Sequence, residues 1–287
     1  MVISMTGFGK ATGQHGSKKI TIEIRSLNSK SLDLNTRLPQ IFREKESDIR
    51  NRASASLKRG KVDLSVYLES ESGESSNQLN SDLIRSYHKQ LKELSVELGD
   101  GADLLPSILR FPEILQSQRE ELSKELGTAL LSVLDQGLLK INEHRLAEGQ
   151  AMEKDLRANV ASISDNLKAI EPLEEQRLEG VKERLMKQLE ELKDKLDSNR
   201  FEQELIYYLE KFDINEEKVR LRKHCSYFLN ILDEEESQGK KLGFIAQEMG
   251  REINTIGSKA NHADIQKHVV QMKDDLERIK EQVLNVL

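Results

Sequence analysis

Lys19-Ile20-Thr21-Ile22-Glu23-Ile24-Arg25 alternates apolar and polar side chains, the period of a strand with one buried face. This reading decides the fold, because most of the remaining chain repeats its apolar residues every three or four positions and would alone describe an all-helical protein. Outward from it, Ser31 to Leu38 alternates through Leu32, Leu34 and Thr36, and Val62-Asp63-Leu64-Ser65-Val66-Tyr67-Leu68 repeats the signature. Ile3 to Ala11 is expected to be a further strand, turning into the next through Gly13-Gln14-His15-Gly16-Ser17. Pro39 with Ile41, Phe42, Ile49 and Leu57 marks a helix, closed by Lys58-Arg59-Gly60. The order β-β-β-α-β predicts an α+β domain with an antiparallel-rich sheet. Gly7, Gly9 and Gly13 lack the G-x-G-x-x-G spacing, and no helix follows them, so a phosphate loop is not supported.

Downstream the period changes to that of helices. Ser70 to Asn80 is a Ser/Glu-rich connection, and Ser81-Asp82 offers an N-cap to a helix bearing Leu83, Ile84, Tyr87, Leu91 and Leu94. Leu126, Leu130, Leu134, Leu138, Ile141 and Arg145 begin a long face, and Met152, Leu156, Val160, Ile163, Leu167 and Ile170 continue one after Gly149. Pro172 is expected to interrupt it. Leu178, Val181, Leu185, Leu189, Leu192 and Leu196 then recur as the seam of a two-helix hairpin, flanked almost wholly by charged residues. The expected division is an N-terminal α+β domain over 1–115, a projecting helical hairpin or coiled-coil arm over 116–200, and a C-terminal helical domain over 201–287.

Composition bounds the function. Charged residues make up 33% of the 287, and mean hydropathy is -0.60, as in a soluble, helix-rich protein. One cysteine, Cys225, excludes an internal disulfide, no apolar run approaches bilayer length, and MVISMTGFGK lacks a secretory pattern, so a cytoplasmic location is expected. The net charge of -6 hides a basic N-terminal piece: residues 1–61 carry 13 Lys/Arg against 5 Asp/Glu. Such a piece suits a polyanion, or docks on the acidic remainder.

Charged and hydrogen-bonding residues crowd onto one face of a stretch that otherwise reads as helix, GKKLGFIAQEMGREINTIGSKAN, Gly239 to Asn261. Leu242, Ile245, Met249, Ile253 and Ile256 form its apolar stripe, with Glu248, Arg251, Glu252, Thr255 and Lys259 on the neighbouring face. Two carboxylates one turn apart with cations beside them suit a divalent metal and its phosphate, or pair among themselves as a solvated face. A preceding helix, capped near Asn215, sets Glu217, Arg220 and His224 on one polar line. His224 is a candidate acid/base or a packed helical histidine, and Cys225 points about 100° away from it. A final helix, Asp264 to Val286, carries Ile265, Val269, Met272, Leu276, Ile279 and Val283, and must pack on these two.

Met5-Thr6-Gly7-Phe8, Arg25-Ser26-Leu27-Asn28, Arg37-Leu38-Pro39, Arg59-Gly60-Lys61-Val62 and, above all, Gln247-Glu248-Met249 with Arg251-Glu252-Ile253-Asn254-Thr255 and Ser258-Lys259-Ala260 together resemble the YicC family of bacterial endoribonucleases. Asp213-Ile214, Glu216-Glu217, Arg220-Leu221, His224 and Glu281-Gln282-Val283 with Asn285 match too, and Arg145 and Glu148-Gly149 are expected family positions. The sequence departs from the family pattern at Gly243 (usually Asp), Gly250 (usually Asn) and the terminal Leu287 (usually acidic).

The resemblance implies a metal-dependent RNA phosphodiesterase, active on single-stranded or structured small RNAs and assembled as a ring-like hexamer, with no small-molecule cofactor. It implies Mn²⁺ or Mg²⁺ on Glu248, Glu252 and Glu217, proton transfer by His224, and phosphate neutralisation by Arg220, Arg251 and Lys259. Gln247, Asn254, Thr255 and Ser258, with Arg25, Asn28 and Arg37 of the first domain, would contact RNA. With 4% aromatics and no Trp, base stacking is expected to be minor. The competing readings are a non-catalytic RNA-binding adaptor whose arm recruits a partner, and a structural coiled-coil assembly.

Overall fold

The computed structural model describes residues 1–70, 77–99, 103–117, 122–190, 207 and 210–287. Its N-terminal body is a four-stranded sheet in the order β1-β2-β4-β3, from β1 (Gly7–His15), β2 (Lys18–Leu27), β3 (Leu32–Arg37) and β4 (Gly60–Ser70). The β1–β2 and β2–β4 pairings are antiparallel, the first closed by a turn at Gly16-Ser17, whereas β3 runs parallel to β4, making the sheet mixed. A 3-10 turn (Gln40–Lys45) and α1 (Glu46–Leu57) supply the crossover that a parallel pair needs. Alternation sets which face of a strand is buried but not which way its neighbour runs; with two of its three pairings antiparallel, the sheet is antiparallel-rich as expected.

The strand expected from Ile3 begins instead at Gly7, since residues 2–5 leave the sheet. Ser4 bridges Val286, and the Ser4 amide donates to the Arg145 carbonyl at 3.1 Å. Gly9 explains the early glycines: a Cβ there would lie 2.8 Å from the Ile141 amide nitrogen, so β1 packs backbone against backbone on the long helix.

That helix, α4 (Lys124–Glu190), runs unbroken through Gly149 and Pro172. Pro172 is exposed, and removing one solvent-facing amide does not end a helix already held on both sides. Over residues 124–170 α4 does not stand away as an arm. Leu126, Leu130, Leu134, Leu138 and Ile141 fill the core beneath the sheet with Ile20, Ile22, Ile24 and Phe42. Met152, Leu156, Val160, Ile163, Leu167 and Ile170 fill a second core with the C-terminal helices α5 (Asn215–Asp233), α6 (Gly239–Lys259) and α7 (Ala263–Val283). The side chains expected to form the hairpin seam lie outside the described residues.

A small lobe joins the two parts of the first domain: β5 (Asn77–Leu79) pairs antiparallel with β6 (Leu115–Ser117), and between them stand α2 (Ser81–Leu98) and α3 (Leu105–Ile108). The N-cap of α2 is Asn80 rather than Ser81-Asp82, its side chain accepting from the Leu83 amide at 3.1 Å. Among the described residues no helix is long and apolar enough to cross a membrane.

Candidate active site

The start of α5 is fixed by Asp213, whose Oδ1 accepts from the Asn215 amide at 2.8 Å, so the cap lies before the expected Asn215. Carboxylates at Glu216 and Glu217 then sit in the first turn, where the helix dipole favours negative charge. The apolar stripes of α5 and α6 go into the shared core, and this turns their polar lines toward each other across an open seam. Lys259 Nζ closes one end, donating to Glu217 Oε1 at 2.7 Å and to the Asp213 carbonyl at 3.1 Å. Glu217 is 7% exposed, and its second oxygen, Oε2, is buried without a partner among the described residues.

Glu252 is the other buried carboxylate of the seam, 8% exposed. Burial holds its carboxyl above the usual value; the nearby Arg220 and His224 pull it down, while Glu217 and Glu216 push it up again. Arg220 and His224 of α5 therefore lie within electrostatic reach of Glu252 of α6, as their helical lines predict. Glu248, one turn before, pairs with Arg251 at 3.2 Å, and Arg220 pairs with Glu216. Cys225 faces the core, its thiol pushed up to about 11 by burial, which leaves it out of any dyad with His224.

Other expected site residues stand elsewhere. Gln247, Asn254 and Ser258 are on the exposed flank of α6; Ser258 Oγ donates to the Thr255 carbonyl at 3.0 Å and Thr255 Oγ1 to the Arg251 carbonyl at 3.0 Å. Arg25 and Arg37 are on the solvent face of the sheet, Arg25 lying over the Phe8 ring at 5.6 Å. Asn28 is a joint between the two bodies: its Nδ2 donates to the Leu284 carbonyl at 2.6 Å and to Asn285 Oδ1 at 3.3 Å. Gly243 and Gly250 face α7, toward Val283 and Leu276, and so lie away from the seam rather than among its carboxylates.

Sequence reasoning missed the support beneath the seam. Arg177, buried near the end of the described part of α4, donates to the Lys259 carbonyl at 3.0 Å and to the Phe212 carbonyl at 2.6 Å. It thereby ties the end of α6 to the start of α5. Glu174 pairs with Lys218 beside it. The signal was present, because Ile170, Glu174 and Arg177 continue the buried four-and-three spacing of α4.

A hard divalent ion takes carboxylate oxygens, and Glu248 and Glu252 offer them one turn apart. Glu217 already gives one oxygen to Lys259, and among the described residues no three His, Cys, Asp or Glu side chains converge on a point. The donors thus suit such an ion in kind but not in number, and an ion on these two would take its other ligands from water and phosphate, as Mg²⁺ commonly does.

Residues 2–154 match the family described as Endoribonuclease YicC-like, N-terminal region, and residues 170–287 match Endoribonuclease YicC-like, C-terminal. The chain is 33% identical over 293 residues to the probable endoribonuclease YicC of Clostridioides difficile, and 30% identical over 287 residues to that of Haemophilus influenzae. Each alignment covers 100% of both chains. The two family segments meet inside α4, the helix that both cores share, and the chain belongs to the YicC-like endoribonuclease family.

Proposed function

We propose that this protein is an endoribonuclease that cuts RNA phosphodiester bonds in the seam between α5 and α6. The observation that carries the reading is Glu252: a buried carboxylate with a raised pKa, within electrostatic reach of His224 and Arg220. Such a carboxylate takes up and releases a proton closer to neutrality than an exposed one, as a general acid/base needs. His224 is the second proton carrier. Arg220, Arg251 and Lys259 supply positive charge as negative charge builds on the phosphate. Glu217 holds Lys259 in place rather than acting on RNA directly. A Mn²⁺ or Mg²⁺ ion would be held by Glu248 and by Glu252 in its ionised form, in exchange for the Glu252 proton, and would draw charge from a phosphate oxygen and make a bound water more acidic. Arg25 and Arg37 on the sheet are proposed to grip flanking backbone without reading sequence.

A labelled RNA incubated with the purified protein and Mn²⁺ should be cut internally. A chelator should stop the reaction, and Glu252→Gln should lower the rate at least a hundredfold, the scale of a lost acid/base group. Undiminished cleavage by Glu252→Gln would remove the assignment. The satisfied pairs Glu248–Arg251, Glu217–Lys259 and Glu216–Arg220 favour one alternative, an RNA-binding adaptor whose charges are structural. Tight binding of RNA that stays intact with metal present would establish it. Assembly as a hexamer, acting in small-RNA turnover, is part of the proposal and is read out by light scattering and by RNA levels in cells lacking the protein.

A further inference from the structure

Two aromatic side chains stand in the open beside this seam: Phe244 of α6, 64% exposed, and Tyr227 of α5, 46% exposed. A lone exposed ring needs no explanation, and Phe8, Tyr67 and Phe111 are exposed as well; what sets these two apart is that they flank one end of the seam carrying Glu252, His224 and Arg220. Both occupy the shoulders of the polar lines. Phe244 is one turn before Glu248 on α6, and Tyr227 is one turn after His224 on α5. The helices run antiparallel, with Glu217 meeting Lys259 at one end and Lys241 lying 5.4 Å from the Tyr227 ring at the other. Lys241 and Phe244 are three residues apart, so the rings flank the same end of the seam. From Glu217 to Tyr227 the seam runs about 15 Å, at 1.5 Å per helical residue. Lys223 and Lys240 stand on the same two helices, exposed and without an ion pair among the described residues.

We infer that Tyr227 and Phe244 form a base-stacking subsite, on which unpaired bases next to the scissile phosphate lie while the adjacent cations hold the backbone. The inference rests on the endoribonuclease reading and deepens it by naming the side chains that would take the unpaired bases beside the cut. Every base has a π-face, so rings of this kind bind strands without reading sequence, and they cannot reach bases stacked inside a duplex. The paucity of aromatics in the whole chain therefore understates stacking, because two of the few are placed where bases would pass.

The test measures binding in chelator, by anisotropy of a labelled unstructured RNA, together with cleavage of that RNA and of its duplex. Phe244→Ala and Tyr227→Ala should each weaken single-strand binding by about 5- to 100-fold, the range for one lost stacking contact. Tyr227→Phe, which keeps a ring, should bind as the unaltered protein does. An RNA with an abasic nucleotide beside the cut should bind the unaltered protein more weakly, and Phe244→Ala should no longer distinguish it from intact RNA. If the unaltered protein cuts RNA but Phe244→Ala binds and cuts single strands equally well, the subsite is refuted and the endoribonuclease reading survives. If the unaltered protein neither binds nor cuts RNA, both fall. A change of oligomeric state with unchanged RNA affinity would make the rings a contact between copies and overturn the inference.

Discussion

Glu252 couples the candidate chemistry to stability. Its carboxyl is raised by burial above the ordinary Glu value of 4.5, so between the unfolded and folded values the folded chain holds a proton there that the unfolded chain has released. The neutral carboxyl favours the fold most fully below the unfolded value, and that contribution is lost as pH rises through the folded one. Glu252→Gln should therefore melt higher than the unaltered protein at pH 7, with the gap closing toward pH 4, as thermal unfolding across pH will show. The acid limb of the cleavage rate should lie above the usual carboxylate range. Arg145 behaves differently. Its guanidinium is 1% exposed and donates to the carbonyls of Leu57, Met5 and Arg59 and to Ser26 Oγ. Truncating it would leave several buried acceptors unpaired, and Arg145→Ala should cost about 3–5 kcal/mol in urea unfolding. Period alone placed His224, Glu252 and Lys259 on lines that do face each other. It could not assign Arg145 or Arg177, because a charged residue on a buried stripe reads as a fault in the pattern until its carbonyl partners are known.

Two glycines of α4 should respond in opposite directions to the same change. Helix propensity favours Ala over Gly by about 1 kcal/mol. At Gly180 an added Cβ meets nothing within 4 Å among the described residues, so Gly180→Ala should stabilise the protein by about 0.5–1 kcal/mol. At Gly149 the Cβ would run into the carbonyl of Val2, so Gly149→Ala should destabilise it despite the propensity, and melting temperatures of the two variants will separate the effects. The same contrast shows what was legible. Alternation found β2, β3 and β4, and Lys58-Arg59-Gly60 marked the end of α1, because those signals act within one element; the first strand, expected from Ile3, starts only at Gly7. Pro172 read as a break because a local rule cannot see packing on both sides of a helix, which overrides a local penalty.

The two bodies are joined by α4 and by a short seam of backbone. Met5 N donates to the Asn285 carbonyl at 2.8 Å, Leu287 N to the Ile3 carbonyl at 2.9 Å, and Gly239 N to the Leu287 carbonyl at 3.0 Å. Removing residues 284–287 should uncouple the bodies without unfolding either core. Calorimetry should then resolve two transitions where the unaltered protein gives one. Because a single rigid helix serves both cores, their mutual orientation is a phase angle written in residue count between Ile141 and Met152. One residue inserted there would rotate the second body by about 100° about the helix axis while advancing it only about 1.5 Å. Seven would bring it back to within about 20°. The length of that stretch thus acts as a rotary setting, in which single-residue insertions disturb the molecule more than the addition of two whole turns.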